Sequence, residues 1–289
     1  MRYRFLRFPG GKPKAVTFSY DDGPIYDKKL VEIFHKYGVK GTFNLNGDVL
    51  RAPGTVITED EVKQLILGKG HEVAVHGLLH RAEGSIRPIS GIRDVLDCRL
   101  ELEKTYGIII RGMAYPDTGI TKTPDCTTSY ETIKGYLKDL DIAYSRTLAG
   151  DNNRFLLPDD WYAWMPTCHH NNPKTFEYID EFTGIDYNGP KMYSAHRHSR
   201  LFYVWGHSYE FNNDNNWDRI EQICEKLGGK DDTWYATNIE IHDYVESYKL
   251  LQFSADETIV YNPTAIKIWF EVDNKLYEIN PGETIKTKE

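Results

Sequence analysis

The chain has 289 residues, with 35 basic and 43 acidic side chains and a formal net charge of −8. This acidic balance excludes a general nucleic-acid binder, which needs a basic surface against phosphate, and argues against adsorption to an anionic membrane. Hydrophobic residues make up 40% of the chain and charged residues 27%, which is typical of a folded globular protein.

Aromatic residues are abundant, with 20 Tyr, 12 Phe and 6 Trp. Rings of this number suit either a large core or a polar binding surface, and composition does not separate the two. The sequence contains no apolar run of roughly 20 residues, the length that a membrane span requires. The N-terminus also lacks the apolar stretch of a signal peptide, so we expect a cytoplasmic chain, although a chain whose leader had been removed would read the same.

The first half of the chain alternates predicted strands and helices. Residues 14–20 (KAVTFSY) are rich in β-forming residues and end at the turn residues Asp22, Gly23 and Pro24. Residues 27–37 place apolar side chains on one helical face before Gly38 ends the helix. The same patterns predict strands over 39–45, 71–75 and 108–115, and helices over 58–67 and 89–106.

The second half continues the alternation and then changes character. Patterns of the same kind predict helices over 129–140, 217–227 and 238–250, and strands over 142–145, 201–205 and 234–237. Residues from about 150 to 200 are rich in Asn, Pro and aromatic residues and predict an irregular insert. From residue 251 onward, turn residues separate short β segments.

This order predicts two units. Residues 1–250 form a unit of parallel strands joined by helices, which is either an α/β barrel or an open sheet. Residues 251–289 form a small β extension packed on it, because so short a segment rarely folds alone. In both parallel architectures the functional groups lie at the carboxyl ends of the strands.

Polar residues follow three of the predicted strands. Asp21 and Asp22 follow the first strand, His76 and His80 (HGLLH) follow the third, and His207 follows the strand over 201–205. Two histidines four residues apart and one carboxylate make a metal site with open positions for water. A second carboxylate facing such a position takes a proton from the water. Each motif alone is also typical of an ordinary turn or a structural histidine.

Residues 17–24 (TFSYDDGP) and 76–80 (HGLLH) together resemble the first two motifs of the polysaccharide deacetylase (NodB-like) family, carbohydrate esterase family four. The neighbouring segments 41–44 (GTFN) and 70–73 (GHEV) resemble the family's second strand and its approach to the histidines. Motif order and spacing agree over roughly residues 14–250.

The resemblance implies a distorted (β/α) barrel of about seven parallel strands and the metal-dependent removal of acetyl groups from an acetylated amino sugar or polysaccharide. It makes Asp21 the general base. It makes Asp22, His76 and His80 the ligands of a divalent metal, most often zinc. His207 lies in WGHS, which resembles the fifth motif, and is the implied general acid.

Three residues depart from the family's third and fifth motifs. Pro116 matches the third motif, RxPY, and this alignment puts Asp117 at the position whose backbone N–H serves the oxyanion. Arg111 then lies two residues too early for the arginine that orients the base. Trp205 replaces the leucine that lines the acetyl-methyl pocket, so we expect a narrower pocket or a different acyl group.

The fourth motif, an Asp-Trp pair that tunes the acid histidine, has two candidate alignments. One is Asp160 with Trp161. The other begins at Trp164 and brings His169 or His170 near the site. Alternatively, these are loop histidines with no role in the site. The surrounding insert is crowded with rings, which predict either a glycan-binding rim or a small local core: Trp161, Tyr162, Trp164, Phe176, Tyr178, Phe182, Tyr187 and Tyr193.

The sequence therefore predicts a metal-dependent hydrolase that deacetylates a glycan or amino sugar, with no nucleic-acid partner and no membrane span. Two alternatives remain open at this point. One is a cyclic-amide or ureide hydrolase on the same fold, and the other is a glycan-binding protein without catalysis.

Overall fold

The computed structural model describes residues 2–47, 50, 52–122, 124, 126–148, 151–187 and 197–287. Its strands are β1 (Arg4–Arg7), β2 (Lys14–Asp21), β3 (Gly41–Leu45), β4 (Glu72–Val75), β5 (Gly112–Ala114), β6 (Tyr144–Arg146), β7 (Cys168–His169), β8 (Arg200–Gly206), β9 (Thr233–Tyr235), β10 (Gln252–Phe253), β11 (Ile259–Tyr261), β12 (Ile268–Val272), β13 (Lys275–Ile279) and β14 (Thr284–Lys286). Its helices are α1 (Asp27–Tyr37), α2 (Glu59–Glu61), α3 (Pro88–Tyr106), α4 (Tyr130–Asp139), α5 (Thr175–Thr183), α6 (Ser208–Asn213), α7 (Trp217–Leu227) and α8 (Asn238–Lys249).

The main sheet is a distorted barrel of parallel strands, as predicted. Seven strands follow one another in the order β6-β5-β4-β3-β2-β8-β7, and β9 pairs with the start of β2. The two ends of this path meet at Trp164, whose N–H donates to the Ser145 carbonyl at 3.1 Å. Three residues further on, the Thr167 N–H donates to the Tyr203 carbonyl of β8 at 2.8 Å. The segment around Trp164 therefore connects β6 to β8 and runs directly into β7, the other end of the path.

The core of the barrel is rich in phenylalanine. Phe18 on β2 and Phe43 on β3 are buried against Phe34 of α1, and the Phe18 and Phe34 ring centroids lie 4.8 Å apart. Gly41 allows this packing, because a Cβ there would lie 2.7 Å from Phe34 Cε2. Close packing of large rings holds α1 on the outer face of β2 and β3.

The C-terminal extension consists of two small antiparallel sheets, with strand orders β1-β12-β13 and β10-β11-β14. Its short strands match the prediction, and Asp273 and Asn274 make the β12–β13 turn with φ of 48° and 65°. The N-terminal strand β1 was not predicted. It pairs with β12, with Arg4 opposite Val272, so the two termini of the chain share one sheet.

Three predicted elements differ from the structure. The strand over 108–115 is shorter, since Ile109 is 80% exposed and only Gly112–Ala114 pairs with its neighbours. The helix after Thr58 is π-helical over Val62–Ile66 and 3₁₀ over Leu67–Lys69, and it ends at Gly70, where φ is 77°. The insert of residues 150–200 is more regular than predicted, because it contains β7 and α5.

The aromatic rings of the insert mainly build core. Trp164 is fully buried between Tyr144 and Tyr203, and Tyr178 and Phe182 are buried on α5. Trp161 packs edge-on against Trp164 with centroids 4.9 Å apart. The buried rings therefore belong to the core and cannot form a glycan-binding rim. Tyr193 lies outside the described residues.

Within the described ranges, every helix is too short or too polar to span a lipid bilayer.

Glu72 is a buried carboxyl at the amino end of β4. Thr42 and Tyr144 donate hydroxyl hydrogen bonds to it at 2.8 and 2.7 Å, and the Ile239 N–H donates at 2.9 Å. Burial outweighs these bonds and raises the pKa of Glu72 from 4.5 to about 7. The folded state therefore holds a proton that the unfolded chain releases. The contribution of Glu72 to the free energy of unfolding is fully present below pH 4.5 and is lost as pH rises through about 7.

We expect Glu72→Gln to remove this dependence, which amounts to about 3 kcal/mol for a shift of this size. Urea unfolding at pH 5 and pH 8 measures it. The change in stability from pH 5 to pH 8 should be less unfavourable in the variant than in the parent by about 2–3 kcal/mol. The exposed Glu32→Gln on α1 is the control and should behave like the parent. Equal losses in the parent and in Glu72→Gln would contradict the prediction.

Candidate active site

The five residues predicted from the first, second and fifth motifs meet at the carboxyl end of the barrel. Asp21 is the last residue of β2 and Asp22 follows it, while His76 directly follows β4 and His207 directly follows β8. Asp22 has a φ of 73° and His80 a φ of 52°, so the chain turns sharply at both residues. These turns aim the side chains at one point, and strain of this kind is common at functional sites.

Asp22, His76 and His80 form a compact set of ligand atoms, all within 4.8 Å of one another. Asp22 Oδ1 lies 3.6 Å from His76 Nε2 and 3.5 Å from His80 Nε2. Ligands that bind zinc at about 2.0–2.2 Å in a tetrahedral site lie at similar distances from each other.

The protonation of His76 fits a metal ligand. Its Nδ1 lies 2.9 Å from the Ala114 carbonyl, which accepts a hydrogen bond, so the proton is on Nδ1 and the Nε2 lone pair faces Asp22. Burial lowers the pKa of His76 and favours the neutral ring that a metal needs. Asn46 donates to Asp22 Oδ1 at 3.0 Å and orients that carboxylate. The donor set therefore suits a divalent cation such as zinc.

Asp21 is a buried carboxylate held on both oxygens. Asn44 donates to Oδ1 at 2.8 Å, and the Arg146 guanidinium donates to Oδ2 at 2.5 Å. Burial alone would raise the pKa of Asp21, but the charge of Arg146, with His76 and His207, lowers it below the ordinary value. Asp21 is therefore ionised in a site where an isolated carboxyl would be neutral.

Arg146 is the partner of Asp21 that the sequence analysis missed. The predicted strand over 142–145 stopped one residue short of it, whereas β6 ends at Arg146. Arg111, considered for this role, pairs instead with Asp243 at 3.0 Å. It precedes β5, at the opposite end of the barrel from Asp21, so a role in orienting the base is not supported. A basic residue at the carboxyl end of a predicted strand was the available signal.

His207 faces the two aspartates with one nitrogen and a glutamate with the other. Its Nε2 lies 3.9 Å from Asp21 Oδ2 and 3.8 Å from Asp22 Oδ2, and its Nδ1 lies 2.8 Å from Glu210 Oε1. Burial alone would lower the pKa of His207, but the hydrogen bond to Glu210 and the charges of Asp21 and Asp22 raise it. A raised pKa favours the protonated ring, which a general acid needs.

Neither residue of the first fourth-motif alignment is paired with His207. Asp160 accepts hydrogen bonds from Tyr130 and Lys134, both at 2.6 Å, and the Trp161 indole donates to Glu246 at 2.6 Å. These partners hold the insert against α4 and α8. The second alignment fits better, because it brings His169 and His170 to the glutamate beside His207. His169 Nε2 lies 3.2 Å and His170 Nε2 2.8 Å from Glu210 Oε2.

Pro116 and Asp117 follow the end of β5 by two and three residues, and Trp205 is near the end of β8. Pro116 is buried and Asp117 is exposed with a φ of 49°. The Trp205 ring lies on the Arg146 guanidinium, 4.5 Å from Cζ to the ring centroid. Gly77 has a φ of 80°, and a Cβ there would overlap Asp94.

The fold and its strand-end residues define a distorted (β/α) barrel protein with two aspartates and three histidines at one site. Residues 9–130 match the family model described as polysaccharide deacetylase. The resemblance predicted from the motifs is therefore confirmed over this part of the chain. No curated protein matches the sequence.

Solved structures share the fold at low sequence identity. A Mycobacterium smegmatis protein described as a polysaccharide deacetylase is 15% identical, with a TM-score of 0.54 over 85% of this chain and 94% of that one. The Xyl-CE4 domain of a multidomain xylanase from the hindgut metagenome of Trinervitermes trinervoides is 14% identical, with a TM-score of 0.50 over 81% and 92%. These likenesses show the fold alone.

We expect Arg146→Met to destabilise the fold by about 3 kcal/mol or more, because it leaves a buried carboxylate without its counter-charge. Arg146→Lys keeps a charge and should recover part of this loss, since a lysine provides one point donor in place of the planar fork. Urea unfolding measures both. The control is Arg93→Met, which removes an exposed i,i+4 ion pair and should leave the unfolding midpoint nearly unchanged. Equal effects of Arg146→Met and Arg93→Met would contradict the role of the buried pair.

Proposed function

We propose that the chain is a metal-dependent hydrolase that removes acetyl groups from an acetylated amino sugar or polysaccharide. The observation that carries the proposal is the ionised, buried Asp21, held by Arg146 beside the Asp22, His76 and His80 set. Taking a carboxylate and a guanidinium out of water together is costly, and a functional need for the charge explains why this cost is retained. A glycan-binding protein without catalysis has no use for such a charge at this point.

Two imidazoles and one carboxylate from His76, His80 and Asp22 suit zinc. A divalent cation held there would supply Lewis acidity and lower the pKa of water at the site. The chain's own residues then divide the proton transfers. Asp21 accepts a proton from the attacking water while the water oxygen bonds to the acetyl carbonyl carbon. The backbone N–H of Asp117, after Pro116, is the proposed donor to the oxyanion.

His207 completes the reaction as the general acid. The bond from the carbonyl carbon to the leaving nitrogen or oxygen breaks, and its electron pair goes to the leaving atom. That atom takes the Nε2 proton of His207, and acetate and the free sugar amine or hydroxyl are released. The positions of Asp21 Oδ2 and His207 Nε2, 3.9 Å apart, allow both groups to face one substrate carbonyl.

Trp205 is the proposed wall of the acyl pocket. Its ring is fixed on one side by the Arg146 guanidinium and meets the His169 ring edge-on, with centroids 4.6 Å apart. A ring held in this way cannot swing aside to accept a larger acyl group. We therefore favour acetyl over bulkier acyl groups as the group removed.

Asp21→Asn should lower acetate release from acetylated sugars by at least about 100-fold, because the amide accepts no proton. It should leave the bound metal in place, since Asp21 is not part of the proposed ligand set. Acetate release is measured on a panel of N-acetylated and O-acetylated sugars, with cyclic amides as the alternative substrate class. An Asp21→Asn variant as active as the parent would refute the assignment of the base.

His76→Ala should abolish metal binding, because it removes the one ligand whose Nδ1 proton is fixed by a backbone carbonyl. Elemental analysis of protein dialysed against zinc measures the metal content. His35→Ala, on the exposed face of α1, is the control and should bind as much metal as the parent. Full metal content in His76→Ala would show that the ligand set is wrong.

A further inference from the structure

A single carboxylate, Glu210, lies at the centre of a group of imidazoles beside the site. It is on α6, three residues after His207, whose Nδ1 lies 2.8 Å from its Oε1. The other oxygen, Oε2, lies 3.2 Å from His169 Nε2 and 2.8 Å from His170 Nε2. The Asn171 side chain also donates to Oε2 at 3.2 Å. Both oxygens of Glu210 are thus surrounded by N–H groups.

The surroundings of two histidines show where their protons lie. The Asn171 backbone N–H donates to His169 Nδ1 at 3.1 Å, so the proton of the neutral His169 ring is on Nε2 and points at Glu210. His170 Nε2 faces Glu210 Oε2 at 2.8 Å, although off the line of a well-formed hydrogen bond. Two lone pairs would repel at this distance, so the proton of His170 is also on Nε2.

His170 is built into the fold behind Glu210. Its ring is fully buried, stacks on Tyr20 with centroids 5.7 Å apart, and lies 4.1 Å from the Phe211 ring centroid. Gly206 makes room for it, because a Cβ at that position would overlap the imidazole. The Ser208 hydroxyl donates to the buried Asp27 at 2.6 Å and ties the start of α6 to α1. The position of Glu210 is therefore fixed by the buried His170 ring and by the hydrogen bond that ties the start of α6 to α1.

His169, His207 and Glu210 also have the residue types of a second metal site, with ligand atoms within 4.8 Å. The proton positions argue against that use. A histidine that binds metal through Nε2 needs an acceptor at Nδ1, as Ala114 provides for His76, whereas a backbone N–H occupies Nδ1 of His169. The group is better explained as a set of N–H groups that face one carboxylate.

We propose that Glu210 is the positioning residue that orients His207 for proton donation to the leaving group. This inference rests on the proposed function, since it concerns the acid of that reaction. The role belongs, in the family resemblance, to an aspartate of the fourth motif, and the structure places a glutamate from α6 there instead.

The geometry explains how Glu210 acts. By accepting the Nδ1 proton of His207, it leaves Nε2 as the nitrogen that faces Asp21 and Asp22. The negative charge of Glu210 also favours the ring that carries both protons. When the Nε2 proton passes to the leaving atom, His207 becomes neutral. Its other proton stays on Nδ1, hydrogen-bonded to Glu210. A leaving group that needs no proton does not depend on this step.

The leaving group therefore provides the test. Glu210→Gln should lower acetate release from an N-acetylated chitooligosaccharide by about 100-fold or more, because an amine cannot leave without a proton. The same variant should hydrolyse 4-nitrophenyl acetate nearly as fast as the parent, since nitrophenolate leaves unprotonated. Glu210→Asp should recover part of the oligosaccharide activity. Glu225→Gln, on the exposed face of α7, should match the parent on both substrates.

Equal losses on the two substrates, or no loss on the oligosaccharide, would overturn the proposal. A purely structural role of Glu210 predicts the equal losses. Binding of a second zinc equivalent that disappears in Glu210→Gln would also overturn it, because the group would then be a metal site.

A measurement without turnover separates this inference from the proposed function. In protein labelled with ¹⁵N-histidine, the Nδ1 proton of His207 should show the strong deshielding of a proton shared with a carboxylate. Glu210→Ala should remove that signal, and Glu225→Gln should leave it unchanged. If the parent released no acetate from any sugar, the proposed function would fail, and this signal would still decide whether Glu210 holds His207. A His207 signal that is the same in Glu210→Ala would count against the proposal.

Discussion

The buried ion pair between Asp21 and Arg146 is the interaction on which the rest of the site depends. Neither residue is exposed by more than 1%, so both charges have lost their water and each relies on the other. The pair joins β2 to β6, which are not neighbours in the sheet, and therefore spans the inside of the barrel. A carboxylate kept ionised in this way has a fixed direction, and its free face is turned toward His76 and His207 at 3.9 Å.

The second constraint is that most side chains of the candidate site are held by residues from another part of the chain. Arg146 and Asn44 hold Asp21, Asn46 holds Asp22, and the Ala114 carbonyl holds His76. Glu210 is the exception, because it belongs to the helix that begins after His207. The barrel makes this possible, since every parallel strand ends at the same face and presents its last side chains to the same space. Polar groups positioned in advance need no rearrangement when charge develops during a reaction.

The difference between residues within one motif and partners from distant strands also explains what could be predicted from the sequence. Asp21, Asp22, His76, His80 and His207 lie in short motifs at the ends of strands whose patterns are local, so the strands and the motifs could be predicted together. Arg146 is 125 residues from Asp21, and only the curvature of the barrel brings the two side chains together. Strand β1 pairs with β12 near the other end of the chain, a contact that no local pattern indicates. Arg111 was considered because the third motif of the resembled family contains an arginine, and only the fold shows that it precedes β5, at the opposite end of the barrel from Asp21.

The aromatic residues connect these constraints. Trp164 links the two ends of the barrel path, Trp205 covers the guanidinium of Arg146, and Tyr20 and Phe211 enclose His170 behind Glu210. Rings exclude water from buried charges while their faces and edges still interact favourably with guanidinium and imidazole groups. In such surroundings an ion pair is stronger than in water, and an unpaired charge is more costly. The buried rings named here are therefore explained by core packing and by the enclosure of polar side chains inside the barrel rather than by a sugar-binding surface.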